Sequence, residues 1–366
     1  TMFGGVPNNE IADLKEYWDA FPTLREEVFN AEKDRPYSSI KTGDILDTIS
    51  NNADVASFKE RFSSAFKDFK GILRTRLIDK VMLVKEVLES DLISEDIFRR
   101  IEGMPLVDKY AAYQVLADNW ASIMGDVEII QTEGIDACKV VEPKTKIVKD
   151  KNGVEQEVED GLKGRIIPFE LVQKTLFQSD LDAISDLQSR IEAIDGELDA
   201  VRDELLGMED TDKYFDAEKD NAFLKKEIIA DSKPKADVED DVKEQLKQIV
   251  NLWDEQSAKN KQIKSDKIAL EKKTIETIMT LDDKGINHFL ELKWIVPITS
   301  AIEALPDAII TTLADAITDL GEKYAVTYND IERGIAESEQ NLATLIGQLT
   351  GDELAIKGLE ALIKQQ

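Results

Sequence analysis

One imidazole and one thiol are all that 366 residues offer to histidine- or cysteine-based chemistry: His288 and Cys138. A single histidine excludes His-rich metal sites and histidine acid/base pairs by count. His288 stands in Asn287-His288-Phe289-Leu290 and reads as a packed or surface ring. Cys138 falls in a predicted strand, and with one histidine in the chain to serve it the thiol reads as buried and inert. Asp150-Lys151-Asn152-Gly153 has the outline of a calcium loop, but its glycine is fourth where an EF-hand needs it sixth, so a β-turn is the simpler reading. Asp282-Asp283 could hold magnesium in principle, although acid runs in acidic helical proteins are usually solvated faces. The paired glycines Gly4-Gly5 have no strand before them, and no G-x-x-x-x-G-K-S/T run exists, so no phosphate-cradling loop is expected.

Two basic patches run against the overall charge. Residues 59–80 carry Lys59, Arg61, Lys67, Lys70, Arg74, Arg76 and Lys80 against Glu60, Asp68 and Asp79. Within it, Lys67, Lys70, Arg74 and Arg76 are the candidate DNA contacts. Residues 259–273 carry six lysines, among them Lys264 and Lys267, against Asp266 and Glu271. Amphipathic helices place lysine on their solvated backs by default, which is the plainer account of both patches.

The whole chain has 46 Lys and Arg against 75 Asp and Glu, a formal charge of −29. Such a surface repels bare nucleic acid and acidic membranes except through a local basic patch or a basic partner. One cysteine rules out a disulfide framework and a cysteine-built zinc site, and points to a reducing compartment. An apolar fraction of 42% suits a globular core. No run is expected to reach the ~18–20 apolar residues of a membrane span, and the first residues lack the basic-then-apolar order of a signal peptide. A soluble, cytoplasmic protein of two or three domains is expected.

Helical spacing dominates the elements that would position these groups, and the fold class expected is mainly α. Ile11, Leu14 and Trp18 follow Asn8 and Asn9, good N-cap residues. Pro22 suits the first turn of a second short helix carrying Leu24, Val28 and Phe29. One long stripe runs from Asp54 to Leu92 through Phe58, Phe62, Phe66, Phe69, Leu73, Leu77 and Val81. Ser94 is expected to cap the next helix, and Pro105 to open one through Tyr110, Tyr113, Leu116 and Trp120. After Gly125 the period changes: short runs at 127–131, 137–141, 145–150 and 154–160 around Asn152-Gly153 predict a small antiparallel β insert. From Pro168, Leu181, Ile184, Leu187, Ile191, Ile194, Leu198, Val201 and Leu205 make a coiled-coil seam. A break at Ser232-Lys233-Pro234-Lys235 precedes a second long helix, about Val238 to Leu281. Helices then follow from Pro297, from Asp330 to Leu349 and from Leu354 to Ile363. The expected organisation is a helical domain at 1–125, the β insert at 126–167, long antiparallel arms at 168–281 and a helical bundle at 282–366.

These residues also add up to a resemblance. Gly4-Gly5-Val6-Pro7, then Ile11, Leu14, Tyr17-Trp18, Phe21-Pro22, Leu24-Arg25 and Phe29, resemble the stretch after the catalytic domain in methylation (M) subunits of type I restriction–modification systems. Asp108-Lys109-Tyr110, Tyr113 and Trp120 ahead of Asp126-Val127 are similar to that family's next helix and strand. Pro168, Leu171 and Phe177 fit, as do Leu292-Lys293-Trp294, Glu322-Lys323-Tyr324 and Leu349-Thr350-Gly351 near the end. The matches run from residue 4 to residue 351, and their order and spacing carry the likeness. The family's glycine-rich S-adenosylmethionine loop and its Asn-Pro-Pro-Phe/Tyr motif, which holds the flipped adenine, do not occur; the chain has no Pro-Pro pair.

The resemblance therefore implies the C-terminal, assembly part of such a subunit, without a catalytic site of its own. S-adenosylmethionine would be a cofactor of the full-length adenine-N6 methyltransferase only. The implied partners are the specificity (S) subunit, the restriction (R) subunit in the full complex, and DNA only through that complex, with no membrane. Candidate partner-binding residues are Leu181, Leu187, Ile191, Ile194 and Leu198 on the seam, with Trp294, Leu342 and Leu345 near the end. The residues themselves leave open a freestanding coiled-coil scaffold or a DNA-binding helical module.

Overall fold

A computed structural model describes residues 5–31, 36–41, 43–149, 155–216, 218, 221–325 and 328–347. The fold is mainly α with small antiparallel sheets, as composition and periodicity predict. Two compact units are present: residues up to Met124 together with those from Trp294 onward, and Gly125–Lys293.

The chain opens with β1 (Val6–Pro7), α1 (Asn8–Asp13), α2 (Lys15–Ala20), α3 (Leu24–Val28), β2 (Phe29–Ala31) and β3 (Tyr37–Ile40). The strands form a sheet of order β1-β3-β2, with Val6 opposite Ser38 and Phe29 opposite Ile40. Strands of two to four residues carry too little alternation to be read in advance. The cap of α1 is also not as expected. Pro7 occupies the N-cap and Asn8 is the first helical residue, its Oδ1 accepting a hydrogen bond from the Ser38 hydroxyl at 2.8 Å.

After α4 (Ile45–Asn51), the long stripe divides into α5 (Ala53–Phe66), α6 (Phe69–Leu73), a π-turn at Arg74–Ile78, a 3₁₀ turn at Val81–Leu83 and α7 (Glu86–Ile101). Asn52 caps α5, its side chain accepting from the Asp54 and Val55 amides. Every residue of the stripe from Phe58 to Val81 is buried. The reason for the breaks lies in its spacing. Phe58 to Val81 covers 23 residues in six steps, about 3.8 per turn against the 3.6 of a regular helix. A straight helix would rotate the stripe off the core; a break at Lys67-Asp68 and a wide π-turn keep it facing inward. Ser94 lies inside α7, donating to the Ser90 carbonyl at 2.7 Å, and caps nothing.

Helix α8 (Lys109–Glu133) begins four residues after Pro105 and runs on through Gly125. The β-prone run Val127 to Gln131 is therefore helical. Leu116, Trp120, Ile123, Val127 and Ile130 are all buried at alternating steps of four and three, and that continuous stripe overrides β propensity. Cys138 sits in a 3₁₀ turn, Ile135–Lys139, rather than in a strand. The β insert itself is present as β4 (Val141–Lys149) and β5 (Glu155–Gly164), paired from Val141 opposite Gly164 to Lys149 opposite Glu155. The Asn152-Gly153 turn lies outside the described residues. The register shifts between Pro143 and Thr145, with the extra residue on β5 beside Gly161, whose φ of +91° suits glycine.

Pro168 caps α9 (Phe169–Leu176), and Phe177 separates it from α10 (Gln178–Leu206). The chain breaks at Ser232-Lys233-Pro234-Lys235 as expected, but the first long helix has already ended at Leu206. Residues 207–239 build a cap from β6 (Phe215–Asp216), β7 (Ala222–Phe223) and α11 (Lys225–Asp231), after which α12 (Asp240–Met279) returns along α10. The Tyr214 hydroxyl donates to Asp231 at 2.9 Å inside this cap. Cross-links run from Asp180–Lys273 at 2.8 Å to Glu204–Gln245 at 2.8 Å, which fixes α10 and α12 as antiparallel and folded on each other. Arg190 holds Glu255 through two hydrogen bonds of 2.9 and 3.0 Å between them.

The last elements are α13 (Asp283–Leu290), a π-turn at Glu291–Ile295, α14 (Val296–Glu303), α15 (Leu305–Lys323) and α16 (Tyr328–Gly347). The helix expected at 354–363 lies outside the described residues. The stretch Asp283–Lys323 is long and apolar enough by composition to cross a membrane, which the absence of a pure apolar run did not suggest. Its Ile298, Ile302, Ile310, Leu313 and Ile317 are buried. In the first unit Ile310, Leu313 and Ile317 of α15 pack with Ile11, Phe21, Leu24 and Val28.

Candidate functional site

The residues that could have done chemistry serve structure. Cys138 is fully buried. Burial, then the negative charge of Asp126, push its thiol up to about 12. Thiolate is the reactive form. Native protein at about pH 8 is therefore expected to resist Ellman's reagent and to release one equivalent of thiol on unfolding; rapid labelling of the native state would contradict this environment. His288 is exposed beside Phe289, with ring centroids 5.6 Å apart. The Asp282 side chain caps α13 by accepting from the Gly285 amide at 2.8 Å, which is the use of that carboxylate here. Among the described residues no group of three or more His, Cys, Asp or Glu side chains is placed to hold a metal.

Two of the four candidate DNA contacts pair with nearby acids. Arg76 pairs with Glu89 at 2.8 Å and Arg74 with Asp79 at 3.9 Å, while Lys67 and Lys70 are exposed. A cavity of about 400 Å³ beside them is lined by Arg76 and Lys80 but also by Asp68 and Glu89, so its charges balance. Arg100, which the sequence did not single out, organises this region. Its guanidinium lies over Phe66 and Phe69 and bonds Asp96 and Asp68 at 2.7 and 2.6 Å. The hydrogen bond from Arg100 holds the Asp68 carboxyl below the usual carboxylate range.

The candidate partner-binding residues fall into three environments. Ile194 and Leu198 are buried in the core that α10 shares with Leu246, Ile249 and Leu252 of α12. Leu181, Leu187 and Ile191 are half-buried around Ile184, Ile263 and Leu270. Trp294 is buried, 1% exposed. Leu342 and Leu345 stand apart, 50% and 61% exposed on α16 with Ile335 beside them at 53%. Every described side chain of α16 from Arg333 to Leu345 is exposed. The sequence marked the apolar stripes correctly as stripes; only geometry separates those covered by α12 from the one with no cover among the described residues.

Two long-range contacts escaped the sequence reading. Lys293 Nζ donates to Asp126 Oδ2 at 2.5 Å and to the Ile166 carbonyl at 2.6 Å. Glu10 accepts from Lys323 Nζ at 2.9 and 3.0 Å and from the Tyr324 hydroxyl. Those bonds, Tyr324 first, hold the Glu10 carboxyl below the usual range. Pairs 167 and 313 residues apart leave no local pattern to detect.

No family model, no curated protein and no solved structure matches this chain.

Proposed function

We propose that the chain is the C-terminal assembly region of the DNA-methylation subunit of a type I restriction–modification complex, cytoplasmic, packing with the specificity subunit and positioning an adenine methyltransferase domain on DNA. The supporting observation is spatial. Two residues that carry the resemblance, Lys293 and Asp126, lie far apart in sequence but bond each other, and Lys323 and Tyr324 bond Glu10, next to Ile11. A motif set shared for structural reasons should converge in this way. The reading also suits a chain whose polar clusters brace helices and whose α16 has no cover on Ile335, Leu342 and Leu345 among the described residues.

The face of α16 is the proposed contact with the specificity subunit. Leu342→Asp and Leu345→Asp together are expected to leave the helical circular dichroism unchanged and to weaken that complex by about a hundred-fold, since charges replace anchors in an apolar contact. Unchanged affinity, measured by calorimetry or biolayer interferometry, would remove α16 from the interface. S-adenosylmethionine is expected not to bind this chain, and the restriction subunit and DNA would be met through the assembled complex.

A further inference from the structure

Between the 3₁₀ turn and the first turn of α7, four large apolar side chains within seven residues face solvent. Met82, Leu83, Val87 and Leu88 are each between 52% and 75% exposed. The core takes Val81, Val84, Ile93 and Ile97 from the same stretch, so these four are surplus to it. A single exposed leucine needs no explanation, but four neighbours do. They leave on the order of 400 Å² of apolar surface in water, within the range of the largest patch on a monomer.

The charges around this patch are ordered. Lys80, Lys85, Glu86 and Asp91 are exposed and have no ion-pair partner among the described residues, whereas Arg74 and Arg76 close by pair with Asp79 and Glu89. Along the chain the order is Lys80, the pair Met82 and Leu83, Lys85, Glu86, the pair Val87 and Leu88, then Asp91. That order is its own complement. Reversed about Lys85-Glu86, each cation falls on an acid and each apolar pair falls on the other. A two-fold axis performs this reversal, because residue i then meets residue j and j meets i.

The same balance argues against other occupants. Two cations against two acids give no preference for a partner of strong net charge, and the patch has no aromatic ring on which a base could stack. In a chain of charge −29, a balanced patch is where two copies can approach with little repulsion.

We propose that Met82–Leu88 is the two-fold contact of a homodimer, with Lys80 and Lys85 of each copy facing Asp91 and Glu86 of the other. Two patches of this size together bury less than about 1,200 Å², the range of transient contacts, so a dissociation constant on the order of 10–100 µM is expected. The contact makes no use of α16 and does not depend on the function proposed above.

Sedimentation equilibrium of the full chain from about 1 to about 300 µM tests it. A reversible equilibrium between monomer and a dimer of twice 41.1 kDa is expected. Leu83→Asp with Val87→Asp should raise the dissociation constant about ten-fold or more at unchanged helical circular dichroism, because both side chains are exposed in the monomer. Lys80→Glu with Lys85→Glu, and Glu86→Lys with Asp91→Lys, should each weaken self-association as strongly. Mixing those two charge variants should restore a heterodimer, since four acids then meet four cations, and a folding defect could not be repaired by mixing. A wild-type monomer throughout the range would overturn the proposal, as would a mixture that stays monomeric. A dimer that these variants leave intact but Leu342→Asp with Leu345→Asp dissolves would overturn it in favour of α16. A monomer that instead co-sediments with phosphatidylcholine vesicles, and loses this with Leu83→Asp and Val87→Asp, would overturn it in favour of a lipid-facing patch.

Discussion

Trp294→Ala is expected to destabilise the protein by about 3–5 kcal/mol, the largest loss from any one substitution considered. Trp294 is 1% exposed and sits in the π-turn that leads into α14. Truncation removes the transfer energy of the indole and leaves a cavity that its neighbours can close only partly, because interiors pack densely. Trp253 is the internal comparison. It is half-buried, edge-on to Phe223 at 5.9 Å and under the Lys225 ammonium at 4.9 Å. Its alanine variant should lose distinctly less, since less of the ring leaves solvent on folding. Urea denaturation followed by circular dichroism measures both. A loss under about 1 kcal/mol for Trp294→Ala would mean that the π-turn is not part of the cooperative core.

Lys293→Met is expected to cost about 2–4 kcal/mol, for a different reason. The ammonium pairs with Asp126, whose side chain is 10% exposed, and Lys293 itself is 20% exposed. Removing the lysine takes the cation away from a largely desolvated carboxylate, whereas removing both charges is far cheaper. Lys293→Met combined with Asp126→Asn should therefore recover most of the loss. The double-mutant cycle reports the coupling directly. Additive losses would show that solvent, rather than the pair, satisfies Asp126. Because the pair is not fully enclosed, the expected cost sits below that of a completely buried charge.

What the sequence reveals and what it hides separate along physical lines. Repeats of three and four announce any helix that buries one face, so α10 and α12 are legible with near-correct ends, and the stripe from Phe58 to Val81 is legible as a buried face but not as the separate elements into which it divides. The interruptions of that stripe are written in its spacing of about 3.8, but only averaging over six turns exposes them. Val127 to Gln131 is β-prone by composition and helical in fact, because its buried positions continue those of Leu116 and Trp120. The cap at 207–239 combines strands of two residues with a helix of seven, Lys225–Asp231, all below the length at which periodicity means anything. At the candidate site, sequence identifies apolar stripes without ranking them. Ile194 and Leu198 carry the same signal as Leu342 and Leu345, and only burial distinguishes a face already covered from one still open.

Co-expression with the specificity subunit, followed by size-exclusion chromatography with light scattering, tests the central claim most directly. The account predicts one co-eluting species that persists at about micromolar concentration and that Leu342→Asp with Leu345→Asp dissolves. Separate elution of the two proteins at that concentration would contradict it.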